Sequence, residues 1–196
     1  MSEAAWNSLI NAAIAICWGV FAVVWIVGHV YNKRHSPAVT RRTLGNTRWL
    51  VVGAAVVILL RFVPPTDWQD LSVHSAWLRW PGLVLLVGAT VFTLWARITL
   101  GLMWSSDVVA RSGHELRTDG PYAVVRHPIY AGLLGMLIGS GLLEGVGRWT
   151  VGLVVAAVLI AVKTRAEERL MTEEFPSEYP RYRRRVPALV PVPRRR

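Results

Sequence analysis

From Trp6 to Tyr31 the chain carries no Lys, Arg, Asp or Glu, and at ~1.5 Å per residue a helix of that length exceeds the ~30 Å hydrocarbon core of a bilayer. A chain that opens in lipid must satisfy its backbone polar groups within its own helices. Ser2 and Glu3 precede the run where a signal peptide would place basic residues, and the apolar stretch is too long for one, so it reads as a retained anchor. A second run extends from Trp49 to Val63, interrupted by Arg61 and stopped by Pro64 and Pro65. A third extends from Trp80 to Leu102, interrupted only by Arg97. Ile129 to Leu143 and Trp149 to Val162 are each ~20 Å as helices, short for a full span. Joined by residues 144–148, they read as a helical hairpin with both outer ends on one side of the membrane.

The charges agree with this layout. Lys and Arg number 22 against 12 Asp and Glu, net +10. Only 17% of residues are charged, below the ~25% of a typical soluble domain, which argues against a basic nucleic-acid-binding domain. Lys33, Arg34, Arg41, Arg42 and Arg48 follow the first run, Arg111, Arg117 and Arg126 the third. After the fifth come Lys163, Arg165, Arg169, Arg181, Arg183, Arg184, Arg185 and Arg194 to Arg196. The alternate connections hold only Asp67, Asp70, Arg79, Glu144 and Arg148. The positive-inside rule then predicts an all-α polytopic membrane helix bundle of about five transmembrane helices, N-terminus outside and C-terminus cytoplasmic, in a cell's inner membrane. The cationic tail is suited to anionic headgroups.

Several residues have structural readings. Trp49, Trp68, Trp77, Trp80, Trp104 and Trp149 fall near predicted helix ends, as an aromatic belt would. Arg61 and Arg97 snorkel to headgroups, and Cys17, the one cysteine, lies inert in lipid. Ala131, Gly135 and Gly139 form a small-residue stripe expected to pack on the chain's own fifth helix. His29, His35 and His74 sit in different connections, so no metal site is expected.

Little chain remains outside the membrane, and no strand-turn-helix series with a GxGxxG turn occurs, which excludes a Rossmann domain. Polar residues concentrate between the third run and the hairpin, where Asp119-Gly120-Pro121 is turn chemistry. His127 precedes Pro128, and proline at a first helical position starts a helix whose positive end attracts an anion. Past the hairpin, Lys163 and Glu167 share one helix face, Thr164 and Glu168 the adjacent one. Because a hairpin returns to its starting side, these residues converge with Arg126, His127 and Tyr130. Taken singly, His127 reads as a helix cap, and Glu167 and Glu168 as a solvated face paired with Lys163, Arg165 and Arg169.

The pattern of His114, Leu116, Gly120, Pro121, Tyr122, Arg126, His127, Pro128, Tyr130 and Gly132, followed by Glu167, Glu168, Leu170, Phe175, Glu178, Tyr179 and Tyr182, resembles the isoprenylcysteine carboxyl methyltransferase family. The resemblance covers roughly residues 95 to 190 and joins two separated motifs around one hairpin. It implies an integral membrane enzyme that uses S-adenosylmethionine without a Rossmann fold. The chain divides accordingly into residues 1–94, N-terminal scaffold helices that carry no signature of the family and leave room for an acceptor groove, and residues 95–196, the methyltransferase-like core. By position, His114, Glu115, Leu116, Arg117, Tyr122, His127, Pro128, Ile129 and Tyr130 would surround the cofactor, with Glu167 and Glu168 beside them. Lys163, Glu167 and Arg126 would carry the catalytic role. Lys163 stands where eukaryotic members have a substrate-contacting arginine, and Lys cannot form a bidentate carboxylate clamp.

The chemistry suits such a site. Arg126, His127 or the helix N-terminus would hold the cofactor carboxylate, Glu167 or Glu168 its amine or ribose, and Tyr122 or Tyr130 its adenine. Methyl transfer from a sulfonium disperses charge, so alignment and desolvation outweigh acid or base chemistry. A carboxylate or thiolate acceptor needs no base; a lipid amine does, from Glu168 or His114. A lipophilic acceptor enters from the bilayer and the soluble cofactor from the cytoplasm. The rival readings are an NADPH-dependent sterol or isoprenoid reductase and a noncatalytic membrane adaptor.

Overall fold

The computed structural model describes residues 2–36, 39–42, 76–104, 109–111, 116–145 and 147–192. The expected second crossing, with Trp49, Arg61 and Trp68, lies outside the described residues, as do His114 and Glu115. The described chain is nearly all helical. Helix α1 spans Glu3–His35, α2 Ala76–Leu100, α3 Pro121–Val124, α4 Pro128–Glu144, α5 Gly147–Glu174 and α6 Glu178–Arg185. Strands β1 (Val39–Arg42) and β2 (Val109–Arg111) form one antiparallel ladder, a local departure from the all-α expectation.

Helices α1, α2 and α5 are each long and apolar enough to cross a membrane, whereas α4 is shorter. The hairpin is therefore asymmetric: the second arm does not stop near Val162 but continues as helix to Glu174. Lys163, Glu167 and Glu168 are helical residues and no part of a loose tail. Valines and isoleucines on the outer faces, such as Ile98 at 74% exposure, are the surface a bilayer would cover.

Helices α1 and α2 run parallel. At one end Glu3 pairs with Arg79 at 3.3 Å; at the other, Asn32 Nδ2 donates to the carbonyls of Gly101 and Trp104 at 3.1 and 3.0 Å. Arg42, paired in the ladder, and Ala76, at the start of α2, thus sit at opposite ends of the bundle. A core of Trp6, Ile10, Cys17, Leu86, Ala89, Met136 and Leu143 joins α1, α2 and α4. Cys17 is buried in protein where lipid was expected.

The closest packing is antiparallel, α2 against α4, and glycines make it. A Cβ on Gly139 would meet Leu86 N at 2.7 Å and Gly82 O at 2.9 Å; one on Gly135 would meet Ala89 Cβ at 2.8 Å; one on Gly132 would overlap Thr93 Oγ1. The small-residue stripe therefore faces α2 and not the other arm of the hairpin. Small residues let backbones approach, and without a hydrophobic drive between helices in lipid that approach supplies dispersion contact.

Valine at Gly139 forces a side chain into the backbone of α2, and overpacking of this kind costs about 1–3 kcal/mol. Gly19 has nothing within 4 Å of a Cβ, so Gly19→Ala is the control. Thermal unfolding in detergent should show a lowered midpoint for Gly139→Val and none for Gly19→Ala; equal midpoints would refute the seam.

Candidate active site

Asp119, Gly120 and Pro121 form the expected turn. Gly120 adopts φ 54°, which glycine reaches without a Cβ clash, and Tyr122 N donates to Asp119 O at 3.0 Å. The chain then runs through α3 into Arg126 and His127, and Pro128 opens α4. His127 holds the N-cap position, but its side chain makes no capping bond.

Its ring instead meets α5. Nδ1 lies 3.5 Å from Glu167 Oε2 and Nε2 3.3 Å from Glu168 Oε1. A ring with a carboxylate at each nitrogen can donate to both when protonated, so this setting favours the imidazolium form. Burial opposes that charge, but hydrogen bonds to Glu167 and Glu168 and their negative charge outweigh it, so the His127 pKa is raised. Tyr130, one helical turn on, donates from its hydroxyl to Glu167 Oε1 at 2.5 Å, and its ring stacks on His127 with centroids 5.9 Å apart. Lys163 Nζ stands 5.6 Å from the Tyr130 ring centroid. The two glutamates face inward, whereas Arg165 and Arg169 are exposed.

Arg126 is buried at 7% exposure and its donors are engaged. Nε donates to Glu168 Oε1 at 3.0 Å and Nη2 bonds the same oxygen. Nη1 donates to the carbonyls of Val186 at 2.5 Å and Arg183 at 3.2 Å. The guanidinium joins the hairpin to the C-terminal end of α6 and so does not present an open clamp to a ligand carboxylate. The backbone N–H groups of Arg126 and His127 are also taken, by Pro187 O at 2.9 Å and Ala188 O at 3.0 Å.

Six of the sequence-predicted residues thus meet in one cluster: Arg126, His127, Tyr130, Lys163, Glu167 and Glu168. Pro128 is buried and Ile129 half-buried at the head of α4. Leu116 is half-buried and Arg117 exposed, ahead of the turn. Tyr122 is buried against α2, its hydroxyl 3.5 Å from Ala96 O, so it does not offer an open face for stacking. Its pKa is raised by burial first and by Glu167 second.

Sequence reasoning missed Arg97. It is 5% exposed, where snorkelling to headgroups was expected. Gly28 of α1 makes the room: a Cβ there would meet Nη2 at 2.5 Å. The guanidinium lies 4.3 Å from the Trp104 ring centroid, and Nη1 donates to Gly101 O at 3.1 Å. Trp104 is itself buried, and so is no lipid anchor. Nε and Nη2 of Arg97 have no hydrogen-bond partner among the described residues. Buried donors left this way are costly, and an anion would satisfy them. The available signal was an arginine in an otherwise apolar span, a functional position by default. Tyr122 reaches α2 at Ala96 O, the residue before Arg97.

Residues 82–173 match the sequence model of the isoprenylcysteine carboxyl methyltransferase (ICMT) family. The chain is 30% identical over 153 residues to the nickel-cobalt-cadmium resistance protein NccN of Alcaligenes xylosoxydans xylosoxydans, covering 78% of this chain and 66% of that protein. It is 31% identical over 102 residues to protein-S-isoprenylcysteine O-methyltransferase of Schizosaccharomyces pombe, covering 50% and 42%. It is 29% identical over 154 residues to methanethiol S-methyltransferase 2 of Bradyrhizobium diazoefficiens, covering 72% and 58%. The chain thus spans less than two thirds of the length of each of these relatives.

A raised histidine pKa has a definite sign in stability. The favourable contribution of His127 is complete below its ordinary value of 6.5 and is lost as pH rises through the higher folded value. The unfolding midpoint should therefore fall across that window in the native protein and fall less in His127→Gln. Parallel curves for the two proteins would refute the assignment.

Proposed function

The chain belongs to the isoprenylcysteine carboxyl methyltransferase family, and from that premise we propose that it is an integral membrane methyltransferase that uses S-adenosylmethionine to methylate an anionic group on a lipophilic acceptor. The observation that carries this reading is the inward-facing cluster of His127, Tyr130, Glu167 and Glu168, built across a hairpin at a membrane interface. A solvated charge face or an adaptor surface leaves that convergence without a purpose.

The donor set fits the cofactor. Glu167 keeps a quarter of its side chain exposed, and each carboxylate oxygen has a second lone pair for an ammonium or a ribose hydroxyl. When bound, S-adenosylmethionine supplies an electrophilic methyl group on a sulfonium that leaves as a neutral thioether. Tyr130 and His127 orient Glu167 from two sides, so the carboxylate is positioned before any ligand arrives. The orphan Nε and Nη2 of Arg97 would hold the acceptor anion, with Lys163 adding positive charge from α5.

The same geometry supports an anionic acceptor. A lipid amine is protonated at neutral pH and must lose a proton before its nitrogen can attack, which requires a base. Glu168 is engaged by Arg126 and His127, which weighs against it as that base; His114, the other candidate, lies outside the described residues. A carboxylate or a thiolate needs no base and pairs with Arg97. By the positive-inside rule, the basic connections at this end of the bundle favour a site on the cytoplasmic face.

Titration calorimetry of the purified protein with S-adenosylhomocysteine and with NADPH tests the reading. S-adenosylhomocysteine should bind, and Glu167→Ala should weaken it about tenfold, or 1.4 kcal/mol, while the protein stays folded with a midpoint lowered only by the lost bonds to His127 and Tyr130. Binding of NADPH alone would support a reductase and overturn the proposal; binding of neither would leave the adaptor. Once the acceptor is traced with methyl-labelled cofactor, Arg97→Gln should raise its KM while leaving S-adenosylhomocysteine affinity unchanged. A KM untouched by that substitution would remove Arg97 from the acceptor site.

A further inference from the structure

Helix α6 and the chain that follows it have two faces. The inner face is bonded to the site: Tyr179 and Tyr182 are 3% and 4% exposed, and Tyr182 donates from its hydroxyl to Tyr122 O at 2.6 Å. Arg183 O and Val186 O accept from Arg126, Pro187 O accepts from Arg126 N, and Ala188 O from His127 N. The outer face presents Arg181, Arg184 and Arg185, all exposed, and then Val190 and Val192, which are 64% and 58% exposed. Arginines followed by exposed valines and prolines, in Arg183-Arg-Arg-Val-Pro-Ala-Leu-Val-Pro-Val192, are an unusual covering for a surface that meets only water. Cationic side chains with apolar neighbours are what an interfacial segment offers a bilayer.

The position in the fold agrees. Lys163, the first charge after the apolar part of α5, lies level with Tyr130 at the start of α4, so the membrane boundary falls near there. Helix α5 continues ~17 Å beyond Lys163 to Glu174. Helix α6 then doubles back and delivers Arg183 and Val186 to Arg126, immediately before α4 enters the apolar phase. Its arginine-rich end is thereby returned toward the headgroup zone. A cavity of about 370 Å³ lined by Thr172, Pro180, Arg183 and Arg184 opens on this side, where Arg183 also pairs with Glu168 at 3.8 Å.

We propose that residues 183–192 form an interfacial clasp: an anionic bilayer surface holds the arginines and valines of its outer face, and the clasp in turn holds the backbone of Arg126 and His127 in the geometry of the site. The anionic partner is the lipid surface and not a free polyanion, because Val190 and Val192 lie exposed beside the charges. Its consequence for ligand affinity rests on the methyltransferase reading; the clasp itself does not.

The test uses full-length protein in nanodiscs of phosphatidylcholine with or without phosphatidylglycerol, beside the surface variant Arg184→Gln/Arg185→Gln. Hydrogen exchange is read on the peptide containing Arg126 and His127, whose amide protons exchange when Pro187 and Ala188 release them. Phosphatidylglycerol should slow that exchange in the native protein and not in the variant, and S-adenosylhomocysteine should bind about fivefold tighter or more in the anionic discs. Exchange that ignores lipid charge would overturn the clasp, and S-adenosylhomocysteine binding equally in both discs would leave the methyltransferase reading standing. Exchange that responds to lipid while S-adenosylhomocysteine binds in neither disc would uphold the clasp and remove the function. Equal slowing by soluble polyphosphate over phosphatidylcholine discs would replace the lipid surface by a soluble anion and overturn the proposal as stated.

Discussion

The site depends on one buried cation. Arg126 places three of its nitrogens on Glu168 of α5 and on the terminal carbonyls of α6, so two helices and the loop before α4 share a single guanidinium. The last carbonyls of a helix have no intrahelical donor, and Arg126 supplies one to α6 while neutralising Glu168. Breaking a buried pair by removing one partner costs about 3–5 kcal/mol, since the other charge is left in poor solvent. His127, the next residue, inherits its position from this arrangement, because its ring reaches Glu168 only while Arg126 keeps that carboxylate turned inward.

A second constraint brings these charges into register. The glycine seam lets α4 lie almost on the backbone of α2, and the turn at Gly145 sends α5 back along it. The unequal arms then matter: α4 ends its apolar course at Pro128, but α5 rises past it as helix, carrying Glu167 and Glu168 to the level of His127. With arms of equal length the glutamates would fall in a loop, free to turn toward water. Arg97 belongs to the same packing logic, since its burial needs the space that Gly28 leaves on α1.

Much of the bundle was legible because lipid imposes simple rules on a sequence. The uncharged run of α1, the break at Pro121 and Pro128, and the alternation of basic connections are local properties, readable without knowing what each segment touches. The convergence of His127 with Glu167 was readable too, since a hairpin forces its two ends together. The stripe through Gly135 and Gly139 was legible as a packing face, but its partner was not: sequence neighbours suggested α5, and the approach distance to Leu86 selects α2. Trp104 and Arg97 fell near a predicted helix end, where anchoring and burial have the same sequence signature, and only the position of α1 separates them.

By itself the sequence determined a membrane bundle, the placement of its charges and the residue types at one interface, because hydropathy, proline and charge act locally along the chain. Only the tertiary structure decided which partners each of those residues meets. Arg126 and Arg97 are both arginines beside apolar runs. One has its donors on Glu168 and helix-terminal carbonyls, the other has two donors unmatched among the described residues, and that difference arises from neighbours far away in sequence.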